Sequence, residues 1–160
     1  MMRGLVTIML ATAVLLGCSS IDCPVQNTVR TVYELSEALN DTLTVTTQRS
    51  VSAVPSGATR DTILLNSGTG LTTFSLPISY TNPVDTLIFK TVRLVAVDTV
   101  WIEKEDIPHF ESVDCGASFF HRITSVRSTH VGIDSIVLKK AFVDYDKSTA
   151  HIFVYFKARP

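Results

Sequence analysis

His151-Ile152-Phe153-Val154-Tyr155-Phe156-Lys157 decides the fold. In an extended chain successive side chains point to opposite faces. Ile152, Val154 and Phe156 therefore share one face, and Phe153 and Tyr155 share the other. A strand that is apolar on both faces belongs in the middle of a sheet, with neighbours on either side. Working back from it, Asp146-Lys147-Ser148-Thr149 reads as a hairpin loop, with Ala141 to Tyr145 as the partner strand.

The same alternation runs through the rest of the chain. Ile133 to Lys139 follows a turn at Gly132. In Ser118 to Val126, Phe119, His121 and Ile123 oppose Phe120, Arg122 and Thr124. Thr86 to Val92 and Val95 to Glu103 are further strands, and in the second Val100 and Ile102 oppose Trp101 and Glu103. Leu43 to Thr47 is rich in β-branched residues, and Thr62 to Leu65 is a short strand. In Leu71 to Ile78, Pro77 demands a sheet edge or a strand end. Val29 to Leu35 places Val29, Thr31, Tyr33 and Leu35 together, and Ser36 to Asn40 suits a helical turn or a loop. Val51 to Arg60 reads as a loop, Ile107 to Asp114 as less regular chain.

Short strands with turn signals every ten residues or so, and no helical periodicity, predict an all-β fold. The expected architecture is an antiparallel β-sandwich, immunoglobulin-like. Its inward set is Val45, Leu65, Phe74, Leu76, Leu87, Val100, Ile102, Ile123, Ile136, Leu138, Ile152, Val154 and Phe156. The length of 160 residues suits one domain with a real core. A formal net charge of −1, with signs mixed along the chain, argues against nucleic acid as a partner.

The chain start has a different character. Met1-Met2-Arg3 is short and positive, Gly4 to Leu16 is nearly all apolar, and Leu15-Leu16-Gly17-Cys18 resembles a bacterial lipobox. The apolar run is too short to span a bilayer, which takes about 20 residues. The expected organisation is a lipoprotein signal peptide at 1–17, a short lipidated arm at 18–24 and a single β-sandwich at 25–160. Cys18 would carry the lipid, and several acyl chains make a durable anchor. Ser19 follows Cys18, which by resemblance to diderm lipoproteins favours the outer membrane. The remaining cysteines, Cys23 and Cys115, would then stand in an oxidising compartment. A bridge between them is expected, with two free thiols as the alternative.

One tripeptide recurs: Asp41-Thr42-Leu43, Asp61-Thr62-Ile63, Asp85-Thr86-Leu87, Asp98-Thr99-Val100 and Asp134-Ser135-Ile136. Structurally, Asp suits a turn, Thr suits a strand, and the apolar residue enters the core. The pattern also resembles the O-glycosylation sequon of Bacteroidetes, which makes Thr42, Thr62, Thr86, Thr99 and Ser135 candidate acceptors. Apart from Asp61-Thr62-Ile63, and together with Cys23-Pro24, Leu76-Pro77-Ile78, Trp101-Ile102 and Asp114-Cys115-Gly116, these motifs resemble a family of short Bacteroidales lipoproteins of uncharacterised function. That resemblance implies an envelope address and gives no catalytic residue.

Enzyme motifs are absent: no G-x-S-x-G, no H-E-x-x-H and no phosphate-cradling glycine loop. His109-x-Glu111, with Asp114 near, could hold a metal but suits a solvated strand face better. Glu103-Lys104-Glu105-Asp106 reads as a solvated loop. Trp101 is the candidate ligand contact, against the alternative that it covers the second face of a buried strand. No cofactor, metal or catalytic activity is expected. The expected role is structural or protein-interacting, at a membrane reached through the lipid and with an envelope protein as partner; the alternative is a glycan or small-ligand binding module.

Overall fold

The computed structural model describes residues 29–39, 41–49, 60–110 and 118–158. They form ten strands in chain order: β1 (Arg30–Leu39), β2 (Leu43–Arg49), β3 (Arg60–Gly68), β4 (Leu71–Pro77), β5 (Val84–Thr91), β6 (Ala96–His109), β7 (Ser118–Ser128), β8 (Ile133–Leu138), β9 (Phe142–Val143) and β10 (Ile152–Phe156). A four-stranded sheet of order β4-β1-β10-β8 packs on a six-stranded sheet of order β3-β2-β5-β6-β7-β9. The fold is an all-β sandwich, as the alternation predicts. One pair is not antiparallel: β1 and β10 run parallel, with Tyr33 opposite Ile152 and Leu35 opposite Val154.

The core follows from the alternation. Tyr33, Leu76, Ile152 and Val154 of the small sheet meet Val45, Leu87, Phe89, Val100, Ile102 and Ile123 of the large one, all buried. Tyr33 stacks on Phe74 at 4.9 Å between ring centroids, and Phe89 from the other sheet lies 6.2 Å from each. Offset and tilted rings contribute attraction beyond their buried area. Leu65, Ile136, Leu138 and Phe156 are partly buried against this core rather than enclosed by it. Pro77 ends an edge strand, where its missing N–H costs no ladder bond.

Three local expectations are corrected. Ser36 to Leu39 continue β1 rather than leaving it, through a register shift against β4 between Glu34 and Leu39. Asp146 to Thr149 do not close a hairpin: β9 pairs with β7 in the large sheet, while β10 lies between β1 and β8 in the small one. The segment between β9 and β10 is a crossover between sheets, which a hairpin-length loop resembles in sequence. Glu103 to Asp106 are strand, since β6 runs on to His109.

The registers define two ends. At one end lie Arg30 opposite Pro77, Val84 opposite Glu103, and His109 opposite Ser118. At the other lies the turn 92–95, which joins Thr91 to Ala96. The turn at 129–132 is beside it, where Asp98 of β6 reaches Gly132.

Candidate functional site

A polar layer closes the core at the Arg30 end. Asp85 on β5, Lys104 and Asp106 on β6 and His121 on β7 continue the inward phase of Leu87, Ile102 and Ile123. Lys104 is buried, with its ammonium wholly shielded from solvent. Its Nζ donates to Asp106 Oδ1 at 2.7 Å and to the Asn82 carbonyl at 2.8 Å. His121 Nδ1 lies 2.7 Å from the same Asp106 oxygen. Such charges stay buried only when paired and hydrogen-bonded.

The electrostatics follow from that arrangement. Burial pushes the Asp85 carboxyl up, against the opposing pull of the Ser79 N–H and of Lys104. Burial also acts to raise Asp106, but hydrogen bonds from Lys104 and His121 outweigh it and hold this carboxyl below its ordinary value. Burial lowers His121 despite the Asp106 hydrogen bond, which favours a neutral ring. Burial raises the Tyr33 phenol, with Asp85 nearby adding to the effect.

The layer braces the loop at 78–83. Lys104 holds it twice, through its backbone N–H to the Pro83 carbonyl at 2.9 Å and through Nζ to Asn82. Asp85 Oδ2 accepts the Ser79 N–H at 3.0 Å. The Ser79 hydroxyl in turn accepts the N–H groups of Thr81 and Asn82, each at 3.3 Å. Tyr80 is thereby held outward, 64% exposed, and stacked on Phe119 at 5.4 Å. Beside it His109 stacks on Phe120 at 4.1 Å, and Phe110 is 68% exposed. A groove of about 490 Å³ runs along this loop, lined among others by Pro77, Tyr80, Val84 and Asp85. A larger cleft of about 680 Å³ opens at the other end, past Leu39, Asp41 and Tyr155.

Three of the recurring aspartates, Asp41, Asp85 and Asp98, prove to be backbone anchors. Asp41, buried, accepts the N–H groups of Thr42, Arg93 and Leu94 at 2.6 to 3.0 Å. Asp98, also buried, accepts those of Val131, Gly132 and Ile133 at 2.6 to 3.0 Å, and the Thr129 hydroxyl at 3.0 Å. Asp85 does the same for Ser79. Asp134, by contrast, is exposed.

The pattern of a family of unknown function, DUF6452, matches residues 42–156. The chain belongs to this family. The DUF6452 match takes in every strand from β2 to β10, and with them the polar layer and the anchors Asp85 and Asp98, and begins one residue after Asp41. No curated protein and no solved structure matches the chain.

Of the residues singled out in this DUF6452 sequence, Cys18, Cys23, Cys115, Glu111 and Asp114 lie outside the described residues. Thr62 is exposed, whereas Thr42, Thr86, Thr99 and Ser135 are half-buried. Trp101 is half-buried on the outer face of the large sheet, between Thr86 and Arg127 in register. The Arg127 guanidinium lies 5.7 Å from its ring centroid and is paired with Glu103 at 2.8 Å. Among the described residues no group of three or more His, Cys, Asp or Glu could hold a metal ion. Lys104 and Asp106 escape a composition-based reading, because a run of charges usually marks a solvated turn. The signal that could have found them is phase: Lys104 falls two residues after Ile102, in an unbroken inward alternation.

Proposed function

We propose that this chain is a lipid-anchored protein of the bacterial cell envelope that acts by protein contact and not by catalysis. The observation that carries the contact is Val95. It is 86% exposed, yet its φ is +49°. A β-branched residue in the left-handed region is a strained outlier, where Gly or Asn would sit at ease. Folding gains nothing from such a side chain, so its use is sought outside the domain. Val92 and Val131, 64% and 55% exposed, stand on the two turns at the same end. The polar layer at the other end is committed to bracing a loop, which favours a non-catalytic reading.

The address rests on Leu15-Leu16-Gly17-Cys18, with the outer membrane of a Bacteroidales-type cell as the favoured location. A Cys23–Cys115 bridge and glycans on the Asp-Thr motifs belong to the same reading, with Thr62 the best-presented acceptor. Fractionation of cells carrying Cys18→Ala tests the anchor: the variant leaves the membrane fraction, and one that still pellets with it refutes the lipid. A photo-crosslinking side chain at Val95 tests the contact. One discrete adduct, lost when Val92 and Val131 are both changed to Ser, is expected; absence of any adduct in the native envelope overturns it. The groove beside Tyr80 favours a second reading, a small ligand or glycan, for which protection of the 78–83 amides by added envelope glycans is the check.

A further inference from the structure

We infer that the Arg30 end of the sandwich is a lipid-facing surface, with Tyr80 and Phe110 seated in the headgroup region of the membrane. The inference rests on the lipid-anchor reading and goes beyond it, since an anchor alone leaves every face of the domain free to meet the bilayer. The first argument is where the chain enters. Val29 is the first described residue, and Arg30 pairs with Pro77, so the arm that carries Cys18 joins the domain at this end. From Cys18 to Val29 the chain reaches roughly 40 Å at full stretch. β1, which runs from that entry to the far end, has 10 residues at about 3.3 Å each, a length not far short of that reach. An arm of this reach brings the end it joins to the lipid at little entropic cost; turning the far end to the membrane takes nearly full extension.

The second argument is what that end displays. Tyr80 and Phe110 are the most exposed aromatic side chains among the described residues, and both are here. Phe142, 37% exposed, and Val84, 38% exposed, join them. Rings with an apolar body are the side chains that settle at the boundary of headgroups and acyl chains. The exposed large hydrophobic side chains of the far end are valines instead, Val92, Val95 and Val131. The third argument is rigidity. Tyr80 is carried by a loop tied through Asn82, Pro83 and Ser79 to the buried Lys104 and Asp85, so its insertion requires little ordering of the loop. In sequence Cys115 falls between Phe110 and Ser118, so a bridge to Cys23 would hold the lipidated residue within about 17 Å of Cys115 on the connection between β6 and β7.

The test uses the full lipidated chain in vesicles of zwitterionic and anionic phospholipid with brominated acyl chains. Trp101→Phe removes the native tryptophan, and single reporters are placed as Tyr80→Trp, Phe110→Trp and, at the far end, Val92→Trp. Reporters at 80 and 110 are expected to lose about half their fluorescence, as for rings seated in the acyl boundary, and the reporter at 92 is unaffected. Hydrogen exchange on the unsubstituted chain gives an arm free of mutation: amides 78–83 slow on vesicles, and those of 92–95 do not. A chain that fails to float with vesicles sinks both this surface and the anchor. One that floats with 80 and 110 unquenched, or with 92 quenched, sinks the surface alone.

Discussion

Single carboxylates do much of the work of holding this fold. Asp98 gathers three consecutive N–H groups of the turn before β8, and Gly132 is required there because a Cβ would come within 2.5 Å of the Ala96 methyl. Asp98→Ala strands buried donors and is expected to cost about 3 kcal/mol in urea titrations. Asp134→Ala, at an exposed member of the same motif, should stay within about 0.5 kcal/mol. His151 makes a different prediction. It is fully buried, and its Nδ1 accepts the Val32 N–H at 3.0 Å, so the ring must be neutral at that atom. Burial first and Lys140 second lower its pKa from 6.5, against the opposing effect of Asp144, Asp146 and the Phe142 backbone. Between the folded value and 6.5 the unfolded chain binds more protons, so the contribution of His151 is whole above 6.5 and declines as pH falls below it. His121 has the same sign. Asp85, raised by burial, has the opposite one, its cost easing as its carboxyl protonates at lower pH. Melting temperature should therefore drop from pH 7.5 to 5.5, and His151→Asn, though less stable at pH 7.5, should show a shallower drop. An equal slope in both proteins would remove His151 as a cause.

At the scale of the element, strand alternation was the legible part and strand pairing was not. His151 to Phe156 announces a central strand because both faces are apolar, and it is central. The neighbours are chosen by tertiary packing: Phe142-Val143 goes to β7 and the last strand to β1, which local turn chemistry could not reveal. Asp41, Asp85 and Asp98 are readable as turn residues, but the turns that Asp41 and Asp98 hold, at Arg93-Leu94 and at 129–133, lie on distant segments. The inward run of β6 was missed for a related reason, because Lys104 is inside only by virtue of Asp106, His121 and the Asn82 carbonyl. Lys104→Met tests that account. Removing one partner of a buried pair costs 3–5 kcal/mol in general; Asp106 keeps 23% of its side chain exposed and can rehydrate, so about 2 kcal/mol is expected here. The specific readout is hydrogen exchange: amides at 78–83 should lose protection more than those at 92–95. Uniform loss across both would show that Lys104 supports the core and not the loop.

On the scale of the whole molecule, the first and last described strands lie side by side in the middle of the small sheet. β4 reaches the sheet only through β1, and β8 only through β10. His151 tightens the same seam, donating its N–H to the Val32 carbonyl and accepting the Lys139 and Lys140 N–H groups on its own carbonyl. The core between the sheets therefore cannot close until the last residues are in place. A chain ended after Ser148 loses Ile152 and Val154, both fully buried, and exposes Tyr33, Leu76 and Leu87 on the facing surfaces. Such a chain is expected to show no cooperative thermal transition and to bind hydrophobic dyes, as an expanded state with loose packing does. The full chain should melt in one step, with tyrosine and tryptophan signals coincident, although Trp101 belongs to the large sheet and Tyr33 to the small one. If the shortened chain kept a sharp transition, the large sheet would be a unit stable by itself. The seam between β1 and β10 would then fasten a second layer onto it and would no longer be what closes the fold.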